Sequence, residues 1–485
     1  MPNDLFSSLY STTNALRAQS AALDIVGRNM SNVNNTAYAR QRVVFGDKGS
    51  VDTPLGAQSL GIEAVGIQQM RDALLDGQIT EEKSNSGFLD SQEKFLQQAQ
   101  TALGQGLFTN AGTIETIKST TALPNGIASS IDAFFNAWQS LATDPGSTVN
   151  KQQLLANAQD LVDKLNTADK RLADISLSTP VVSNTLTGQM DEGTRQVNSL
   201  LTTIADLNRQ IGRVEITNPG TAVDLRDQRQ SKLEELAGYI DFTTVEQTAG
   251  QVAIRVNTTV PGTTVDLVGL ANVNGTMSQS GGIYSWTPTG SAVPTADLSF
   301  TAGSLAGYQA VGKTIQGYRD SLDDFAAALV TEVNNAYTDN HSAGNLNPDF
   351  FTPPTPPATT TAGTISLAVT SVTAGNGTTL SGDNVRAKAV ANLAKSSTFL
   401  SGSTPAAAFA KIVTNVGQDV SNNNTGIEDQ KSLSKLLTAQ RQSYSGVSLD
   451  EETADMLRYQ RAYQASSKLL SVIDGLLGTM LETLS

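Results

Sequence analysis

No cysteine occurs in the 485 residues, and that single absence removes disulfides, thiolate metal sites and thiol catalysis together. Histidine is nearly missing too. His341 stands alone in a Gly/Asn/Pro-rich stretch, so no His-rich metal site can assemble and the residue reads as a solvated loop histidine. Aromatic side chains make up only 5% of the chain, which argues against a large ligand pocket. Basic residues are outnumbered, 32 Lys and Arg against 46 Asp and Glu, for a net charge of −14. A phosphate backbone or an anionic membrane is repelled by such a chain, so no nucleic-acid partner is expected. No run of about 18 apolar residues exists to span a bilayer, so membrane insertion is not expected either. Met1-Pro2-Asn3-Asp4 has neither the basic nor the apolar region of a cleavable secretory signal; export is expected to use another route.

What is present is helical periodicity, strongest at the two ends. Gly446 punctuates, Ser448 is placed to cap, and Asp450, Glu451 and Glu452 favour a helix start through the macrodipole. Apolar positions then recur at Met456, Leu457, Ala462, Tyr463, Leu469, Leu470, Ile473, Leu476, Leu477, Met480, Leu481 and Leu484, with no proline among them. The spacing predicts a helix of about 36 residues, roughly 54 Å long. From Leu469 to Leu484 the apolar set spans roughly 140° of circumference, wider than the seam of a two-stranded coiled coil. At the other end Leu5, Leu9, Leu16, Leu23, Val26, Met30 and Val33 step by four and three once Thr12 and Gln19 are admitted, and the flank is rich in alanine. The two ends are therefore expected to pair as an antiparallel coiled coil, the surplus apolar width facing other molecules. The polymer interface expected from these stripes is Leu5, Leu9, Leu16, Leu23 and Met30 with Leu449, Met456, Tyr463, Leu470, Ile473, Leu477, Met480 and Leu484. The plainer reading puts both helices in an ordinary core.

Between the ends the period changes twice. Residues from about 70 to 240 are helical, with stripes such as Ile127, Ile131, Phe134, Phe135, Trp138 and Leu141. From about 241 to 300 the period falls to two among Gly, Thr and Pro clusters, which predicts antiparallel strands. Helix returns over about 304–338. Thr352 to Pro357 is a stiff proline linker, Thr364 to Thr373 a further strand, and helix resumes from Asp383. The fold class is mainly α with an inserted β domain, an elongated helical bundle stalk built from both chain ends. The expected units are 1–45 with 446–485 for polymerisation, 46–240 with 301–345 and 380–445 for the stalk, and 241–300 with 350–379 for the β-rich insert.

Chemistry is harder to find. Gly307-Tyr308-Gln309-Ala310-Val311-Gly312-Lys313-Thr314 satisfies the P-loop pattern, making a nucleotidase using Lys313 and Thr314 an alternative. A working P-loop must follow a buried parallel strand, however, and Ser304 as N-cap puts Lys313 inside a helix. Paired acids such as Glu81-Glu82 point to different helix faces and read as solvated surface. Asp227 and Arg229 read as ion-pairing residues that fix a helix packing. No catalytic residue, cofactor or metal is expected.

After the first helix, Asn29, Asn32 and Asn34 precede Tyr38-x-Arg40-Gln41, a pattern that resembles the amino-terminal signature of flagellar rod, hook and hook-associated proteins. Ala37 stands where that signature usually has glycine. Leu225-x-Asp227-Gln228-Arg229, Gly303-Ser304-Leu305, Gly382-Asp383-Asn384 and Ser445-Gly446-Val447-x-Leu449-Asp450-Glu451-Glu452, with Tyr459-Gln460-x-Ala462-Tyr463, narrow the resemblance to the family of the first hook-associated protein. Its signature residues here are Asn29, Asn32, Asn34, Tyr38, Arg40, Gln41, Gly446, Asp450, Glu451 and Glu452. The resemblance implies a non-enzymatic subunit of the bacterial flagellum, outside the cell, joining hook to filament. It implies a homo-oligomeric tube whose lumen the terminal helices line, contacts with hook protein and other hook-associated proteins, an export chaperone on the C-terminal helix, and secretion without a cleaved signal. Another axial subunit, of hook, rod or filament type, is the alternative within the same class.

Overall fold

The computed structural model describes residues 2–35, 37–53, 56–103, 126–176, 185–338, 349–353, 361–375, 383–397 and 399–484. The chain opens with α1 (Pro2–Ser31), which ends where Asn32, Asn34 and Asn35 begin to compete for its backbone. A long hairpin follows, β1 (Gln41–Asp47), β2 (Ser50–Thr53), β3 (Gly56–Ser59) and β4 (Ile62–Gln69), with β1 pairing β4 and β2 pairing β3, both antiparallel. Five helices come next: α2 (Ala73–Ala102), α3 (Ile127–Thr143), α4 (Thr148–Ile175), α5 (Leu186–Glu215) and α6 (Val223–Ala237). Side-chain caps set several starts, Asp72 on α2, Ser147 on α4 and Thr185 on α5.

Where the period falls to two, the strands form as expected. β5 (Thr243–Glu246), β6 (Val252–Asn257) and β7 (Thr264–Val268) make one antiparallel sheet; β8 (Gly275–Ser280), β9 (Ile283–Pro288) and β10 (Ala296–Leu298) make another. Then come α7 (Ser304–Thr338), α8 (Val385–Leu393), α9 (Pro405–Ser445) and α10 (Leu449–Leu484). α9, with 41 residues and so roughly 62 Å long, runs antiparallel beside α2. Along that pair Asn423 reaches the Leu89 carbonyl, Gln430 reaches Glu82, which is buried and not on the solvated surface expected of it, and Leu437 packs on Leu75 and Ile79. Such lengthwise packing makes the elongated bundle.

α7 crosses α2 closely. A Cβ on Gly307 would run into the Phe88 carbonyl, so only glycine fits the crossing. Ahead of it Gly303 takes a φ of +86°, and the first amides of α7 are satisfied by the end of α6, Ser304 N–H donating to Gly238 O at 2.9 Å and Leu305 N–H to Tyr239 O at 3.1 Å. Ser304 is thus the first helical residue and not the expected cap.

The predicted strand over Thr364–Thr373 shrinks to one bridge, Phe351 with Leu367. Helices take up its partners instead. Asn334 of α7 accepts the amides of Phe350 and Phe351 at 3.0 and 2.9 Å, and both rings sink among Phe134 and other helical aromatics. Pro354 to Pro357, His341, Asn376-Gly377 and Gly382 lie outside the described residues.

Candidate assembly surface and the polar lock behind it

α1 packs along α10. The pair is antiparallel, since Asn29 meets Glu452 while Ala22 and Ile25, seven and four residues earlier, meet Tyr459. The seam differs from the expected row of leucines. α1 is covered by α10 and by the β1–β4 hairpin, and its buried side chains are Thr12, Asn14, Ala18, Ala22, Ile25, Val26 and Asn29. Small residues allow close approach on both sides, which leaves Leu5, Leu9, Leu16, Leu23 and Met30 half-buried at the flanks. On α10, Ile473 is buried and Met456, Leu470, Leu477 and Met480 are half-buried. Leu449 and Tyr463 remain exposed, and the Leu484 side chain lies outside the described residues.

Beside that seam runs an uncovered strip. Leu469, Val472 and Leu476 are 53%, 54% and 50% exposed. Their spacing of three and four puts them on one side of α10, Leu469 and Val472 each about 100° round the helix from the seam positions Leu470 and Ile473. The register of the pair brings them level with Phe6 and Tyr10 of α1, themselves 57% and 49% exposed. Apolar surface is therefore left over at the far end of the helix pair.

The near end is held by a buried polar cluster, although Leu449 and Leu457 stay exposed beside it. Asn29, 1% exposed, donates to Gln41 O at 2.8 Å and to Glu452 Oε2 at 3.0 Å, and its Oδ1 accepts from the Tyr38 hydroxyl at 2.8 Å and Gln41 N–H at 3.0 Å. Arg40 then clamps the start of α10, with Nη1 2.6 Å from Glu451, Nε 2.7 Å from the buried Glu452 and Nη2 3.7 Å from Asp455. Burial works against the Arg40 charge, but Glu452 and Glu451 outweigh it and hold the proton more tightly than usual. Ser448 Oγ reaches Glu451 N–H at 3.5 Å, the expected cap drawn long. Residues 37–40 are irregular.

A second layer ties this knot to α6. Gln41 Nε2 donates to Asp224 at 2.7 Å, Ala39 N–H to Asp227 at 3.3 Å, and Arg71 bridges Asp227 at 3.0 Å and Asp76 at 2.9 Å. Burial pushes the Asp227 carboxyl up to about 6 against the pull of Arg71, and burial likewise raises the Tyr38 hydroxyl. Asp227 forms an ion pair with Arg71 and not with Arg229, while Arg229 ties α6 to α5 through the neutral Asn208 side chain. Of the signature residues, Asn29, Tyr38, Arg40, Gln41, Glu451 and Glu452 converge here. Asn32 bonds back to Arg28 O within its own helix end, while Asn34 and Asp450 are exposed. Gly446 serves the turn, since a Cβ there would collide with Gln442 O. Arg71, Asp76 and Asp455 were not signalled by the sequence; only the i, i+3 acids Asp224 and Asp227 carried a readable face.

The P-loop pattern lies wholly inside α7, with Lys313 exposed on its surface, so no backbone cradle for phosphate exists there. Among the described residues no group of three metal-ligating side chains occurs, and no helix is long and apolar enough to cross a membrane.

Comparison with known proteins gives one family. Residues 111–351 match the model of the flagellar hook-associated protein FlgK helical domain, and 438–483 that of the flagellar basal body rod FlgEFG protein C-terminal region. Flagellar hook-associated protein 1 of Bacillus subtilis is 25% identical over 517 aligned positions, covering 97% of each chain; that of Salmonella typhimurium is 22% identical over 564, covering 96% of this chain and 98% of its own. A solved structure described as the flagellar hook junction protein FlgK from Burkholderia pseudomallei superposes with a TM-score of 0.56 at 14% identity, covering 76% of this chain and all of that one, which shows a shared fold. The chain belongs to the flagellar hook-associated protein FlgK family.

Proposed function

We propose that this chain is a structural subunit joining hook to filament in the bacterial flagellum, and that it polymerises through α1 and α10. The observation that carries the reading is the uncovered strip of Leu469, Val472 and Leu476, at the level of the exposed Phe6 and Tyr10: a lone subunit leaves it in water, and burying it against copies recovers about 25 cal/mol per Å² of apolar surface. In this reading 1–45 with 446–485 form the polymerising unit, 46–240 with 301–345 and 380–445 the stalk, and 241–300 with 350–379 the insert. Leu5, Leu9, Leu16, Leu23 and Met30, half-buried at the flank of the seam, join Leu449, Met456, Tyr463, Leu470, Ile473, Leu477, Met480 and Leu484 at or beside the contact. The subunit is not an enzyme. Its partners are copies of itself, hook protein and other hook-associated proteins, and it leaves the cell without a cleaved signal, its exposed C-terminal helix face offered beforehand to an export chaperone.

Leu476→Asp tests this reading. We expect the purified variant to keep the parent's helix content and thermal midpoint and to fail to enter the flagellum. Normal incorporation of Leu476→Asp into motile cells contradicts polymerisation through this strip.

A further inference from the structure

α6 carries opposite charges on opposite faces. Asp224 and Asp227, three residues apart, face the root of the terminal helices, where they take Gln41, the Ala39 amide and Arg71. Arg226 and Arg229, also three apart and turned about 200° from them, face α5 and the turn between β5 and β6. Arg226 grips the buried Glu215 of α5 with Nε at 2.8 Å and Nη2 at 2.5 Å. Arg229 Nη1 donates to Asn208 Oδ1 at 2.9 Å and to Gly250 O at 2.8 Å. Asn208 in turn donates to Val252 O at 2.7 Å and accepts from Val252 N–H at 3.3 Å, so the start of β6 is pinned through the same side chain. The turn between β5 and β6 is built for this closeness: Ala249 and Gly250 have φ of 53° and 69°, and a Cβ on Gly250 would overlap the Glu215 carboxylate.

These groups are buried, Asn208 at 0%, Glu215 at 1%, Asp227 at 6% and Arg229 at 7% exposure, so none can trade its partner for water cheaply. The start of α6 has no side chain of its own as cap. Its position is set from outside, by Glu215 accepting the Ala222 amide at 3.2 Å on one side and Gln69 of β4 donating to Val223 O at 2.9 Å on the other. β4, β5, α2 and α6 also line a common groove of about 1090 Å³.

We propose that the first two turns of α6 are a coupling element through which the seating of the terminal helices and the packing of the β5–β7 sheet are held together. Loosening either side shifts the helix start, and the other side's buried charges lose their geometry. The joint transmits strain between the polymerising end and the strands.

Hydrogen–deuterium exchange on the full chain tests it. Arg71→Gln removes ties to Asp227 and to Asp76 of α2, none of them to the β5–β7 sheet, and Gln41→Ala is a milder variant that removes only the tie to Asp224. We expect both to raise exchange at 252–257, Arg71→Gln by roughly fivefold or more, a typical size for coupled sites. Arg229→Gln is expected to raise exchange at 450–456 reciprocally. In all three the α4 segment 155–165 should match the parent. Changes confined to the mutated side overturn the proposal, and so does a uniform rise that includes 155–165, which is plain loss of global stability.

Discussion

At the scale of single residues, the most demanding position is Asn29, whose amide uses both its donor and its acceptor capacity inside a closed site. Asn29→Ala strips those bonds and leaves Glu452 short of one donor; denaturant unfolding should show a loss of about 3 kcal/mol. Asn34→Ala, on an exposed side chain, should stay within about 0.5 kcal/mol. Asp227 makes a pH prediction. Its folded value of about 6 lies above the ordinary 3.8, so the folded chain binds the proton more tightly than the unfolded one. The stabilisation this gives is complete below the unfolded value and is lost as pH rises through 6; the span is up to about 3 kcal/mol. Asp227→Asn should flatten that part of the stability profile between pH 4 and 7, while the parent keeps it. Burial sets the rise; of the groups that face the carboxyl, Arg71, the Ala39 amide and the Gln69 side chain oppose it and Asp224 adds to it.

At the scale of elements, glycine at the α2–α7 crossing decides how near two helices come. Gly307→Val should cost about 3 kcal/mol in thermal unfolding by forcing α7 away from Phe88. Gly317→Ala, in the same helix with nothing within 4 Å of its added Cβ, should stabilise by about 0.5 kcal/mol. Elements of this kind were largely readable beforehand. The stripe through Ile127, Phe134 and Trp138 is α3, and the acids at Asp450 to Glu452 do open α10. Less legible was anything settled by a partner distant in sequence. Thr364 to Thr373 has strand-forming residues, yet Asn334 and a cluster of helical aromatics take its neighbours Phe350 and Phe351. The leucines of α1 are spaced as a seam, yet the hairpin claims the alanine side of the same helix and rotates them to the flank. Asn29, Arg40 and Glu452 stood out as signature residues, whereas their tie to α6 through Arg71 and Asp227 depends on contacts no local pattern encodes.

At the scale of the whole molecule, the two chain ends come together, tied by a buried polar cluster where they leave the bundle and carrying uncovered apolar side chains along α10, among them Leu457, Leu469, Val472 and Leu476. In the proposed reading, buried charges fix the root of the helix pair and the apolar side chains left uncovered on α10 are what association covers. Because the chain has no cysteine, one can be introduced as a unique reporter. The most direct measurement is the rate of thiol labelling of Val472→Cys, with Ile473→Cys as a buried control, in dissociated subunits and in assembled flagella. Fast labelling of Val472→Cys in the free subunit and strong protection after assembly, with Ile473→Cys slow in both, is the predicted result; equal labelling of Val472→Cys in the two states contradicts the account.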